Sequence, residues 1–121
     1  MPVRSLNSSV LRWPGPEKVR PAVEAWAREV SAQHPDVQAV GYFGSYARGD
    51  WGPGSDLDIV VITAGDPGPL FKRSLRFPAE RLPVPAEVVV LSREEWEKLA
   101  GTRFRTHIEQ EAVWVYRRAK G

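Results

Sequence analysis

The stretch from Val40 to Ile62 constrains the fold more than any other part of this 121-residue chain. It opens with an apolar segment that ends in Gly44-Ser45, and after ten further residues it reaches Asp56-Leu57-Asp58, which leads into a second apolar segment. A strand that ends at Gly-Ser and turns directly into a helix exposes backbone N–H groups that favour an anion, most usefully a phosphate. Glycine allows close approach of that phosphate because it lacks a Cβ atom.

The two aspartates predict a metal site. Residues i and i+2 of a strand point to the same side, so Asp56 and Asp58 share one face while Leu57 points into the core. Two ionised carboxylates on one face repel each other without a cation, and oxygen ligands beside a phosphate site suit Mg²⁺. Two such ions about 3.5–4 Å apart can hold the attacking and leaving oxygens of an in-line displacement. The pattern predicts transfer of a phosphorus-containing group.

Glu87 is the candidate for a third metal-binding carboxylate. It is the one acidic residue that enters the apolar segment Ala86–Leu91. A charged residue at the start of so apolar a strand needs a partner. A neighbouring strand that carries Asp56 and Asp58 would supply one through shared metal.

Each motif taken alone has a simpler interpretation. A Gly-Ser pair is most often a turn, and an Asp-X-Asp before a strand is often a solvated loop end. Both motifs at this spacing arise by chance in about one of several hundred chains of this length. The joint occurrence between two apolar segments therefore favours the functional interpretation.

Length and composition limit the classes of protein to consider. The chain is expected to form one domain over residues 1–121, with an irregular N-terminal strap at 1–16. No apolar run approaches the ~20 residues that span a bilayer, and the start lacks a secretory signal, so no membrane partner is expected. The lack of cysteine fits a cytoplasmic protein. The net charge of +2 is too balanced to indicate direct nucleic-acid binding.

Apolar periodicity and turn residues predict the secondary structure. Helices are expected at Glu17–Gln33, Ser45–Arg48, from the Ser92 N-cap through Leu99 and at Thr102–Gln110, and a partial helical pattern covers Leu70–Glu80. Strands are expected at Val37–Phe43, Leu57–Thr63, Ala86–Leu91 and Ala112–Arg117. This order predicts an α+β fold, with a mixed central sheet of about four strands and helices packed mainly on one face.

The Gly-Ser pair, the ten intervening residues and the Asp-X-Asp together resemble the minimal nucleotidyltransferases of the DNA polymerase β superfamily. The matching core is Val40–Ile62, and a looser resemblance extends from the first helix through Glu87 to the final strand. The resemblance implies a polymerase β-like nucleotidyltransferase fold with its catalytic core at residues 37–91.

The same resemblance implies a role for each site residue. Gly44 and Ser45 would take the β- and γ-phosphates of a nucleoside triphosphate, with ATP as the substrate. Asp56 and Asp58 would bind Mg²⁺, with two ions expected. Glu87 stands where the family usually has aspartate, and there it would bridge one ion and help to deprotonate the acceptor hydroxyl.

The resemblance also implies a partner, because the family includes antitoxins of helical HEPN-type toxins, some of which add AMP to a tyrosine of the toxin. This chain has no room for an acceptor domain, so a small helical HEPN-type protein is expected to supply the acceptor hydroxyl. Homo-oligomerisation stays open. The alternative is a non-catalytic binding module that neutralises a helical partner and keeps a vestigial nucleotide site.

Other residues near the motifs have two interpretations each. Arg48, one turn after the Gly-Ser pair, is either a ligand of phosphate or partner or a solvent-exposed helix residue. Ser55 either contacts phosphate or caps the turn into Asp56, and the cap is favoured. Trp51 is expected to pack its loop down rather than to stack on a base. His107 has no ligand-like neighbour in sequence, and we assign it no role.

Basic and aromatic residues outside the motifs have structural interpretations. We expect a solvated helix face for the cluster after the second strand, with contact to triphosphate or to an acidic partner as the alternative; the cluster comprises Lys72, Arg73, Arg76 and Arg81. The tryptophans on apolar faces are expected in the core; these are Trp26, Trp96 and Trp114.

Overall fold

Helices and strands alternate along residues 13–118, the part of the chain that the computed structural model describes. The helices are α1 (Pro16–Gln33), α2 (Ser45–Arg48), α3 (Arg93–Lys98) and α4 (Arg103–Glu111). The strands are β1 (Val37–Phe43), β2 (Leu57–Thr63), β3 (Ala86–Ser92) and β4 (Val113–Arg117), and a 3₁₀ segment (Leu70–Arg76) lies between β2 and β3. Most of the strap predicted at 1–16 lies outside the described residues.

Most predicted bounds are confirmed to within one residue. The predicted helical pattern at Leu70–Glu80 is wrong in type and length, because the chain forms only a short 3₁₀ helix there. Phe77 ends it outside the α region, with φ −128° and ψ 70°. Pro78 explains this end, since the residue before a proline is driven out of the α region.

The four strands form one mixed sheet in the order β3-β2-β1-β4. β1 pairs antiparallel with both β2 and β4, whereas β2 and β3 are parallel. The predicted mixed four-stranded sheet is therefore confirmed. Its parallel pair places the starts of β2 and β3 side by side at one edge of the sheet.

Side chains of β2 alternate between two apolar clusters. Leu57, Ile59 and Val61 belong to the larger core, which also contains the buried face of α1. Val60 and Ile62 belong to a smaller cluster around Ile108 of α4. Asp58 has the same parity as Val60, so its carboxylate lies on the side of the sheet that α4 covers.

The tryptophans differ in burial. Trp26 is buried in the larger core, as predicted. Trp96 and Trp114 are only partly buried and pack edge to face in the smaller cluster, with ring centroids 6.0 Å apart. Trp13 folds back onto the body of the domain, where its indole N–H donates to the Tyr46 hydroxyl at 3.0 Å. No helix within residues 13–118 combines the length and apolarity needed to cross a bilayer.

The expectation of a solvated basic face after β2 is wrong for Arg73, which is buried. Its guanidinium is buried and donates to both carboxylate oxygens of Glu95 at 2.7 and 3.0 Å. It also donates to the carbonyl oxygens of Val90 at 3.1 Å and Gly68 at 2.8 Å. These bonds join the 3₁₀ segment to β3 and α3. Arg73 therefore has a structural role, which follows from its burial and could not be recognised from composition.

Replacement of Glu95 tests whether its ion pair with Arg73 stabilises the fold. The Arg73 hydrogen bonds, followed by the Ser92 backbone bond, lower the pKa of Glu95 from 4.5 to about 2. Because the folded pKa is depressed, the stabilisation is present above pH 4.5 and is lost as the pH falls towards 2. We expect Glu95→Gln to reduce the free energy of unfolding by about 1 kcal/mol at pH 7, a modest value because water screens the carboxylate. Urea unfolding at pH 7 and pH 2.5 measures this difference.

Glu94→Gln is the matched control, since Glu94 is exposed and contacts only Lys98 among the ion pairs of residues 13–118. It should change stability little at either pH. A stability difference between Glu95→Gln and wild type that stays constant down to pH 2.5 would contradict the assignment.

Candidate active site

Parallel pairing of β2 with β3 places Asp58 directly opposite Glu87. Paired residues of neighbouring strands share a face, so both carboxylates lie on the α4 side of the sheet. On β1, the other neighbour of β2, Phe43 lies opposite Asp58 and is the last residue of the strand, so Gly44 follows directly. Asp56 lies one residue before β2 and two before Asp58. The carboxylates and the Gly-Ser turn thus come together at one edge of the sheet.

The pKa of Asp58 is raised above its ordinary value in this setting. Burial raises its pKa, and the negative charges of Glu87, Asp56 and Glu111 raise it further, while Arg48 opposes them. Asp56 and Glu87 are solvent-exposed. A half-buried carboxylate among three others gains from a neutralising cation.

The donor set fits Mg²⁺ in its chemistry, because every donor is a carboxylate oxygen. As the side chains stand within residues 13–118, however, no three acidic or histidine groups lie close enough together to hold an ion. Asp56 and Glu87 are exposed and can turn towards Asp58 without leaving a packed core. The backbone therefore positions the three carboxylates, whereas the side chains are not yet gathered around a common point.

Gly44 adopts a conformation that only glycine accepts readily, with φ 81° and ψ −155°. A Cβ atom at this position would collide with the Asp58 carboxylate. Within α2, hydrogen bonding begins with the Ala47 amide, which donates to the Gly44 carbonyl at 3.0 Å. The amides of Ser45 and Tyr46 precede that first bond, as at any helix start.

Glu111, the last residue of α4, belongs to this site, and the sequence analysis missed it. The Gly44 amide donates to Glu111 Oε1 at 2.9 Å, and Arg48 Nη1 lies 3.3 Å from each carboxylate oxygen. His107 Nε2 is 2.8 Å from Oε2. The side chain is 11% exposed, and an anion that takes the Gly44 N–H must displace it. One signal was available: an acidic residue at a helix C-terminus opposes the helix dipole.

The remaining residues near the motifs have defined contacts. The Ser55 hydroxyl accepts a hydrogen bond of 2.8 Å from the Gly52 amide. This bond closes the loop, in keeping with the capping role favoured for Ser55. Trp51 stacks on Tyr46 with ring centroids 5.7 Å apart, which confirms that it packs the loop down. Arg48 is exposed but paired, since it also contacts Asp50 at 3.1 Å. Phosphate binding by Arg48 and Ser55 stays a prediction.

Removing the Asp58 charge should stabilise the fold. The pKa of Asp58 is raised in the folded state, so its contribution to stability is greatest when it is protonated and is lost as the pH rises. We expect Asp58→Asn to raise Tm by a few degrees at pH 7.5 in EDTA, and much less at pH 4. Calorimetry at both pH values measures the gain, with exposed Asp56→Asn as the control of smaller expected effect. A lower Tm for Asp58→Asn at pH 7.5 would contradict the carboxylate crowding.

A family model described as a nucleotidyltransferase domain matches residues 23–115. That range contains the Gly-Ser turn, both aspartates, Glu87 and Glu111. The chain belongs to this nucleotidyltransferase family, and the fold and enzyme class expected from the sequence are confirmed. No curated protein sequence gives a significant match.

Several solved structures are similar in fold. A candidate nucleotidyltransferase from Sulfolobus solfataricus is 24% identical, with a TM-score of 0.64 over 88% of this chain and 86% of that one. A toxin–antitoxin determined with AMP-PNP is 20% identical, with a TM-score of 0.57 over 78% and 73%. A mutant of the toxin–antitoxin MntA–HpeT is 18% identical, with a TM-score of 0.56 over the same shares. Likeness at these identities shows the fold alone.

Proposed function

We propose that this protein is an antitoxin that uses Mg²⁺ to transfer AMP from ATP to a hydroxyl of a HEPN-type partner toxin. The observation that carries the proposal is the register that sets Glu87 opposite Asp58, beside Gly44. It brings the acidic residues to the turn whose backbone amides suit a phosphate. All of these residues lie inside the region that matches the nucleotidyltransferase family.

The proposed chemistry assigns one task to each part of the site. The Gly44-Ser45 turn, with Arg48 and Ser55 nearby, holds the triphosphate. Asp56, Asp58 and Glu87 would hold two Mg²⁺ ions, which neutralise phosphate charge and lower the pKa of the acceptor hydroxyl when bound. The acceptor oxygen bonds to the α-phosphorus while the bond from that phosphorus to the bridging oxygen breaks, and pyrophosphate leaves. Glu87 is exposed at the mouth of the site and takes the hydroxyl proton.

The choice of ATP as the nucleotide and of a toxin as the partner rests on the similar structures. One was determined with AMP-PNP, an ATP analogue. In the MntA–HpeT mutant, two aspartates separated by one residue are replaced by glutamate, the spacing of Asp56 and Asp58. Both structures are toxin–antitoxin complexes. These observations support ATP and a toxin acceptor as the working proposal.

The direct test is label transfer. The protein, coexpressed with the product of the neighbouring reading frame, is incubated with Mg²⁺ and ATP labelled at either the α- or the γ-phosphate. We expect the partner to acquire α-label but no γ-label, with release of pyrophosphate and with loss of transfer in EDTA. γ-Label on the partner would indicate phosphorylation and would overturn the proposal, as would an unlabelled partner.

The second candidate is a binding module that neutralises the partner without catalysis. Two features favour it: Glu87 stands where the resemblance implies an aspartate, and the Glu111 carboxylate accepts the hydrogen bond of the Gly44 amide. Calorimetric titration with ATP and Mg²⁺ separates the two candidates. Absence of binding, together with full neutralisation by an Asp56→Asn/Asp58→Asn variant, would favour the module.

A further inference from the structure

In the 3₁₀ segment Leu70–Arg76, large apolar side chains are exposed and an arginine is buried, which is the opposite of the usual pattern. Leu70, Phe71 and Leu75 are 76%, 79% and 73% exposed, whereas the Arg73 side chain is buried. Folding normally buries large apolar side chains and leaves arginine in water. Adjacent exposed apolar side chains on a soluble protein commonly mark an interaction site. We call Leu70, Phe71 and Leu75 the apolar patch.

Polar contacts of Arg73 and Arg76 keep the apolar patch exposed to solvent. The Arg73 guanidinium donates to Glu95 and to two backbone carbonyls, and Arg76 Nη2 lies 2.9 and 3.1 Å from the Asp36 carboxylate oxygens. Phe77, directly after the segment, is fully buried in the larger core. Turning Leu75 or Phe71 inward would break the Arg73 contacts and leave its buried guanidinium without partners, which is costly. The exposure is therefore built into the fold.

A groove connects the patch to the active site. It is an open cavity of about 820 Å³ whose lining includes both Leu75 and Glu87, together with Leu82, Pro83, Pro85 and Ala86. Glu87 stands opposite Asp58 in the sheet. A molecule that covers Leu75 can therefore extend a segment along this groove to the carboxylates.

The charge beside the patch indicates what chemistry its occupant carries. Lys72 lies between the apolar residues with its ammonium 5.6 Å from the centre of the Phe71 ring. It forms no ion pair with any residue in the range 13–118. An occupant with apolar side chains and a nearby carboxylate would complement both features.

We propose that the apolar patch is the docking surface for the acceptor protein, which presents its hydroxyl along the groove to Glu87. The inference rests on the proposed function and adds the place where the partner binds. Continuity with the carboxylates favours the acceptor over a second copy of this chain or the chain's own residues 1–12. Those two occupants are outcomes that the test distinguishes.

Phe71→Asp is the test variant and Phe104→Asp the matched control. Phe104 is also an exposed phenylalanine, at 41%, but lies on α4 away from the groove. The partner used is the purified product of the neighbouring reading frame. We expect Phe71→Asp to weaken its binding about 30-fold or more, the effect of losing a central apolar anchor, and Phe104→Asp to weaken it less than about 3-fold. Both variants should bind ATP with Mg²⁺ as wild type does.

These experiments distinguish failure of the docking surface from failure of the proposed AMP transfer. Equal binding by the two phenylalanine variants would overturn the docking surface and leave the proposed transfer intact. Failure of the wild-type protein to bind this product would overturn it as well. Conversely, a partner that binds through Phe71 but receives no AMP would support the surface and refute the transfer.

The lack of native cysteine allows a second measurement. A Phe71→Cys variant carries a single thiol, and its alkylation rate is compared with that of Phe104→Cys. We expect fast alkylation of the isolated protein and at least about 10-fold protection by the partner only at position 71. Slow alkylation of the isolated monomer would show that residues 1–12 cover the patch. A dimer in sedimentation that Phe71→Asp dissociates would show that a second copy does, and either result overturns the proposal.

Discussion

Replacing Asp56 and Asp58 together by asparagine is expected to reduce AMP transfer to the partner by about 10³-fold or more. The substitution keeps the size of both side chains and removes two of the three charges that would hold Mg²⁺. Because Asp58 is crowded by other carboxylates, the variant should also be at least as stable as wild type in EDTA. The loss would therefore reflect missing chemistry and not unfolding. Initial rates of α-label transfer at saturating partner measure it.

Two variants serve as controls for this experiment. Asp66→Asn removes an exposed aspartate in the loop after β2 and should leave transfer unchanged within about 3-fold. Glu87→Asp keeps a carboxylate opposite Asp58 and should retain transfer. Undiminished transfer by the double asparagine variant would show that Asp56 and Asp58 do not carry the chemistry and would discard the proposed site.

Gly44→Ala is expected to have the second largest effect. A side chain at φ 81° and ψ −155° is strained, and its Cβ atom would collide with the Asp58 carboxylate. We expect the free energy of unfolding to fall by about 2–4 kcal/mol. Transfer should also fall in variant protein that is fully folded, because the turn and Asp58 must move apart. Urea unfolding at pH 7, followed by transfer assays well below the midpoint, measures both effects.

Gly49→Ala is the control for a positive φ without a collision. Gly49 also has a positive φ, 92°, but a Cβ atom there has no neighbour within 4 Å. We expect a loss of about 1 kcal/mol, the cost of placing alanine in the left-handed region. Equal destabilisation by the two variants would show that the Gly44 turn tolerates a side chain beside Asp58.

Local patterns in the sequence predicted the elements that build the site. The apolar segments that form β1 and β2 each lie within seven consecutive residues, and both strands have their predicted bounds. The N-cap at Ser92 is likewise confirmed, and the two hydrogen bonds of its capping box with Glu95 join residues only three apart. Such features depend on short-range geometry, which one stretch of chain contains in full.

Contacts between distant residues were harder to predict. Glu111 meets Gly44 across 67 residues, and Arg73 meets Glu95 across 22. Neither pairing has a local signature, and composition suggested a solvated surface for Arg73. The pairings arise because the sheet order and the packing of α4 and the 3₁₀ segment bring these groups together, where burial then requires a partner for each charge.

By itself, the sequence determined the family, the strands that carry the carboxylates and the glycine beside them, since a two-residue period and a conformational requirement are properties of the chain alone. Only the tertiary structure decided which strand lies next to which, and hence that Glu87 faces Asp58. It also decided that the Glu111 carboxylate holds the Gly44 amide and that three apolar side chains remain in water. Those outcomes depend on how helices and sheet pack, and packing is a property of the whole fold.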